Sequence, residues 1–178
     1  MENYPKPVTK QCAQKILDQM NYSICKIKEK NGNYKFGFLC YIKYKIKNIP
    51  VIISSYDIIN EQYLSNNDSI VVLINNEFIS LEFGNTTYLY KEYNLSLIEL
   101  KEHKNKNLHF LHFDQDLFQD DSQIYLYKES IYIFNINSGK ETSVSFGTIN
   151  DISDFQIIVS CFINKTTDIL PIFNLSNN

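Results

Sequence analysis

The 178-residue sequence has no tryptophan, only five glycines and four prolines, and four cysteines. The cysteines stand at positions 12, 25, 40 and 161 and form no C-x-x-C pair, which argues against a zinc ribbon. No apolar run approaches the roughly 20 residues that span a bilayer. Met1–Lys10 lacks the apolar core of a signal peptide. These absences lead to an expectation of no membrane association, free thiols and a reducing, cytoplasmic location. Sequons such as Asn85-Thr86-Thr87 then read as products of an asparagine-rich composition. With 20 acidic and 17 basic residues the net charge is −3, so no chain-wide basic field points to nucleic acid.

What is present favours strands. Apolar residues make up 44% of the chain, with 13 tyrosines and 12 phenylalanines. That is enough for one domain, or for two small lobes. One helix is expected, over Thr9–Met20 within an N-terminal segment 1–21. Ala13, Ile16, Leu17 and Met20 recur there at helical spacing, and Thr9 stands where a cap would. A helix lying on its own protein is favoured over one that binds a partner. From Tyr22 the pattern turns to β. Ser23–Lys28 alternates, Asn31-Gly32-Asn33 signals a hairpin, and Tyr34–Lys47 alternates over a long span interrupted at Gly37. Gly37 reads as a bulge or a close strand approach. Further strands are expected at Ile70–Ile74 and Phe78–Phe83, with turns at Asn75-Asn76 and Gly84-Asn85. Residues 101–107 read as a linker between a first barrel, 22–100, and a second, 108–178.

Three histidines invite a metal reading and do not support one. His109 and His112 lie three apart in a strand pattern, which puts them on opposite faces, and His103 is isolated in the linker. The acidic run Asp114–Asp121 lacks the glycine and final glutamate of a calcium loop.

The most informative stretch is Val51–Ile59, a β-branched run that ends in Ser54-Ser55-Tyr56-Asp57. It resembles the segment of trypsin-like serine peptidases that carries the general-base histidine, in particular the asparagine- and lysine-rich forms of protists and large viruses. Lys91–Leu100 resembles the segment with the acid that orients the base. Ser130–Phe134 and Ser143–Ile149 resemble a hairpin of the same family in order and spacing. Ser160–Leu175 resembles the segment of the nucleophile. The resemblance implies an all-β fold of two antiparallel six-strand barrels with a catalytic cleft between them. The family continues past the segment matched by Ile172–Leu175, so the second barrel is expected to be incomplete and to leave a sheet edge open. A homodimer through that edge is one consequence, and capping by the residues before Thr9 is the other.

The resemblance also locates the triad positions, and none holds the family's residue. Asp57 stands for the histidine, Asn94 for the orienting acid and Asp168 for the nucleophilic serine. Thr166 stands for the oxyanion-hole glycine, and Ile169 for the glycine after the nucleophile. Loss of the charge at the orienting position costs a serine protease about 10⁴ in turnover. Loss of one oxyanion donor costs about 10²–10³. The expectation is therefore a chain that is not an enzyme, a pseudoprotease binding an unnamed protein or peptide, with no cofactor. Two rivals stand beside it. One is a hydrolase with a different nucleophile among Cys161, Ser54, Ser55, Thr166 and Thr167; the other is a decayed product without its own role. If the backbone is kept, Asp57 and Asp168 face each other, and either one carboxyl has a raised pKa or a cation, Ca²⁺ or Mg²⁺, sits between them; the favoured alternative places Asp168 in water.

Overall fold

The computed structural model describes residues 6–29, 32–101, 108–113, 126–136, 142–153, 156–161 and 171–175. The architecture is all-β, with a closed six-strand antiparallel barrel, a second sheet and an N-terminal helix. Helix α1 runs over Lys10–Tyr22. Its start is capped as the sequence suggests, because the Thr9 hydroxyl accepts from the Cys12 N–H at 3.2 Å. Its buried line is different. Cys12 and Ile16 are buried while Ala13 and Leu17 are exposed. The i, i+4 pair of Cys12 and Ile16 sets the inward face, and cysteine counts as a small hydrophobe there.

Two compact units make up the chain, one holding Asp18–His112 and one holding the residues before and after it. In the first, the strands are β1 (Ile24–Lys28), β2 (Tyr34–Tyr44), β3 (Lys47–Ser55), β4 (Ser69–Ile74), β5 (Glu77–Tyr90) and β6 (Leu95–Leu100). They follow the order β1-β4-β5-β6-β3-β2, and β2 returns to pair with β1, closing the ring. The β1–β2 hairpin turns at Gly32, whose φ of 87° is the reason for a glycine there. A short strand β7 (Leu111–His112) adds in parallel to β2 at Cys40 and Tyr41. Inward side chains Cys25, Ile27, Leu39, Ile52, Ile70, Val72, Leu81 and Ile98 form the barrel core. Each such burial stabilises by about 1.5–3 kcal/mol.

Two turns differ from expectation. The span Tyr34–Lys47 is not one strand but two arms that reverse at Lys45-Ile46, with Lys45 at φ 55°. Gly84-Asn85 is not a turn. β5 continues through it with a register shift between Phe83 and Thr87, and the Glu99 carboxylate accepts the Thr86 N–H at 2.8 Å. Glycine is required at 84 because a Cβ there would lie 2.5 Å from Glu99 Cγ.

The second unit carries a four-stranded sheet in the order β10-β9-β8-β11, with β8 Ser130–Ile136, β9 Thr142–Ile152, β10 Ile157–Ser160 and β11 Ile172–Asn174. Ile131, Ile133, Ile149 and Ile152 pack on one face of it with Leu126. On the other side of β8, Tyr132 stacks on Phe173 with centroids 4.7 Å apart. The Lys6 N–H donates to the Ser130 hydroxyl at 2.8 Å, so the chain before Thr9 reaches the first residue of β8.

Gly37 is a close strand approach. A Cβ there would meet the Ile53 carbonyl oxygen at 2.8 Å and Ser54 Cβ at 3.3 Å. Gly37→Ala is expected to destabilise by about 1–3 kcal/mol, the usual cost of overpacking, read as a lower urea midpoint at unchanged m-value.

Candidate functional site

Strand β3 delivers the site. Val51 to Ser55 are buried at every position, and the chain then turns sharply. The Ser55 carbonyl accepts from both Ile58 N (3.1 Å) and Ile59 N (3.2 Å), and Ile59 returns to the core at 0% exposure. This turn presents Asp57 at the surface. Asn94 meets it from the start of β6. A 3₁₀ turn over Lys91–Tyr93 ends with Asn94 in the left-handed region at φ 49°, ψ 40°, a conformation that asparagine tolerates better than most residues.

Every polar group of Asn94 is used. Its N–H donates to Lys91 O and its carbonyl accepts from Tyr56 N, each at 3.1 Å. Its side-chain Oδ1 accepts from the Asp57 N–H at 3.0 Å, and its Nδ2 donates to Asp57 Oδ2 at 3.2 Å. The direction of the last bond matters. A histidine at 57 would donate to an acceptor at 94; here a carboxylate at 57 accepts from a donor at 94. The amide is the matched partner of the carboxylate, and no imidazole is present in the pair to move a proton.

The neighbouring loop is tied down as well. The Tyr56 hydroxyl donates to Glu61 Oε2 at 2.6 Å, which pushes the phenol up and holds the Glu61 carboxyl below its usual range, aided by Lys91. Asn60 caps the short helix α2 (Glu61–Asn66) by accepting from Tyr63 N. Between these elements and the barrel lies an open groove of ≈ 930 Å³ beside Asp57. Lys26 and Lys28 of β1, Val71 of β4, Phe78 of β5 and Tyr63 of α2 line it. β1 pairs with β4 at Lys26↔Leu73 and Ile27↔Val72, and the next residues in line, Lys28 and Val71, both face the groove. The sequence reading missed this groove. Its one local signal is an apolar residue at alternate, solvent-facing positions, Val71 at 54% and Phe78 at 65% exposure.

The other candidate nucleophiles are in structural roles or outside the described residues. Ser54 is fully buried with its hydroxyl donating to the Phe36 carbonyl at 3.2 Å, and Ser55 is 2% exposed. Cys161 is half-buried, and burial raises its thiol pKa, which disfavours the nucleophilic thiolate. Thr166, Thr167, Asp168 and Ile169 lie outside the described residues, as do His103 and Asp114–Asp121. Of the proposed acidic pair, the structure therefore places Asp57 alone, and its carboxylate is engaged by Asn94. His109 and His112 are divided between two partners: the ring of His109 lies 4.9 Å from Tyr22, and that of His112 lies 5.3 Å from Tyr41. None of the four cysteines is in a disulfide.

No family model and no curated protein sequence matches the chain. Solved structures do. The inactive form of the Rv3671c protease is similar over 97% of this chain and 81% of its own, at TM-score 0.54 and 8% identity. Deg5 is similar over 94% of this chain and 81% of its own, at TM-score 0.56 and 14% identity. The fold is that of trypsin-like serine proteases. The active form of the Rv3671c protease from M. tuberculosis is similar over 99% of this chain and 79% of its own, at TM-score 0.52 and 9% identity. This likeness corrects the expectation of a chain that is not an enzyme. The similar structures are of proteases, one of them in both inactive and active forms, so the fold is one that carries catalysis.

Two outcomes test the site. Asn94→Gly keeps the left-handed backbone and loses two side-chain hydrogen bonds, about 1–3 kcal/mol together. Asn94→Ala adds the left-handed penalty of about 1–2 kcal/mol, so it should be the less stable of the two in urea unfolding. Asn94→Asp should be destabilised by carboxylate repulsion, about 1 kcal/mol at ~4 Å in water, and should recover as the pH falls and the pair takes up a proton.

Burial pushes the Cys25 and Cys40 thiols from 9.0 up to about 12. Unfolding then releases protons between these values. The stability contributed by the neutral thiols is present below pH 9 and is lost as the pH rises toward 12. The urea midpoint should fall across that window, and it should fall less in a Cys25→Ala, Cys40→Ala variant.

Proposed function

We propose that this trypsin-like domain acts by binding an extended protein or peptide segment in the groove beside Asp57. The observation that carries this reading is the groove itself. It is open, it is framed by a loop that Asn94 holds through three hydrogen bonds, and it exposes Phe78 and Val71 to solvent. Framing by hydrogen bonds means little ordering remains to be done on binding, which favours affinity. The lining sets the ligand chemistry. An apolar side chain fits against Val71 and Phe78, while the charged lining is mixed, Lys26 and Lys28 with Glu29 and Asp57, and selects no single sign of charge. Burying the Phe78 ring stabilises a complex by about 1.5–3 kcal/mol.

Selection of a peptide library on the immobilised protein, followed by calorimetry of the selected peptide, tests the reading. Enrichment of sequences with an apolar anchor is expected, with at least about tenfold weaker binding in Phe78→Ala, as for a central apolar contact. No enrichment, or unchanged binding in Phe78→Ala, sinks it. Stoichiometric labelling of one serine by a fluorophosphonate probe, lost on replacing that serine, would assign peptide cleavage in its place.

A further inference from the structure

The β2–β3 hairpin carries a feature that barrel closure does not require. Its arms pair Lys43↔Asn48 and Tyr44↔Lys47, leaving Lys45-Ile46 as a two-residue tip. Such tips favour Asn-Gly or Gly-X, because the turn needs positive φ. Here a lysine takes φ 55° and a β-branched isoleucine follows it. Ile46 is 95% exposed and Tyr44 is 58% exposed, the latter with the Lys45 ammonium 5.4 Å from its ring centroid. Lys43, Lys45 and Lys47 are all exposed around them. The charge pattern is one-sided: between Glu29 and Asp57 the sequence has five lysines and no acid, in a chain of net charge −3. Backbone strain joined to an exposed apolar apex points to function more than to folding.

We propose that this hairpin tip docks on an anionic lipid surface, with Ile46 and Tyr44 entering the headgroup boundary and Lys43, Lys45 and Lys47 facing the acidic headgroups. The tip is convex, so it needs a soft surface to enter more than a shaped pocket to fill. Its cations are lysines, as are all 17 of the chain, and a lysine ammonium suits diffuse attraction where arginine suits bidentate recognition. The absence of a spanning segment is no obstacle, because peripheral contact needs only an apolar tip and a basic surround.

The full-length protein is sedimented with phosphatidylcholine vesicles with and without phosphatidylserine. Binding is expected to the anionic vesicles only, and to weaken steeply with salt. Replacing Lys43, Lys45 and Lys47 together by Gln should weaken it about 100-fold, since each lysine near such a surface is worth about fivefold. Ile46→Asp should weaken it at least about tenfold, from the lost apolar burial. The pair Lys45→Asn with Ile46→Gly suits the turn better, so it should raise stability while weakening vesicle binding. Lys35→Gln, at the opposite end of β2 from the tip, should leave binding unchanged. Equal binding to neutral and anionic vesicles, or hairpin variants that bind as the wild type does, would overturn the proposal. So would cross-linking of the tip to an acidic protein in the absence of any vesicle binding.

Discussion

Asn94 is the constraint on which the Asp57 loop depends. It must hold a left-handed backbone, accept from the main chain at 57 and answer the side chain at 57. Few residues meet all three requirements, and which one does is decided by residue 57. Opposite an imidazole, the third requirement is an acceptor, and aspartate meets it. Opposite a carboxylate it is a donor, because a second carboxylate at 3.2 Å would put two anions in contact. Asn94 and Asp57 are therefore one matched donor–acceptor pair.

The buried hydroxyls follow a related logic. Ser54 and Ser96 are cross-strand partners in β3 and β6, and both are fully buried. Ser54 donates to the Phe36 carbonyl, and Ser96 donates to the Ile59 carbonyl that closes the turn behind Asp57. These hydroxyls satisfy backbone acceptors in a strand buried on both faces, where an unpaired carbonyl would be costly. A serine at the end of a buried strand looks like a nucleophile in sequence. In this barrel it serves as a hydrogen-bond plug.

Much of the fold was legible because local chemistry and global register agree. β1 alternates as its burial alternates. Asn75-Asn76 turns with φ of 47° and 64°, the signature of a tight hairpin. The strong run Val51–Ser55 is buried on both faces, as are Phe36–Cys40 and Ile131–Asn135. Illegible points are those where local chemistry loses to pairing. Lys45-Ile46 has no turn residue, yet it reverses because β3 must return between β2 and β6. Gly84-Asn85 has turn residues, yet it stays in a strand because β6 pairs with β5 on both sides of it, at Phe83 and at Thr87. The Asp57–Asn94 contact was visible as two positions of a resembling family, and its hydrogen-bond direction was not. The groove was invisible because β1, β4, β5, α2 and the Asp57 loop each contribute a part, and only register brings them together.

The length of β2 separates the two surfaces. Lys26 stands opposite Phe36 near the start of that strand, while Tyr44 stands at its end beside the hairpin tip. Eight residues at about 3.3 Å each give about 26 Å along the strand, well beyond a Debye length of about 8 Å at physiological salt. The tip lysines therefore add little to the potential at the groove, which is set locally by Lys26, Lys28, Glu29 and Asp57. Occupying the groove leaves the tip free, and docking the tip leaves the groove open. Strand β2 joins the two as a rigid spacer because β1 and β7 pair along one of its edges and β3 along the other.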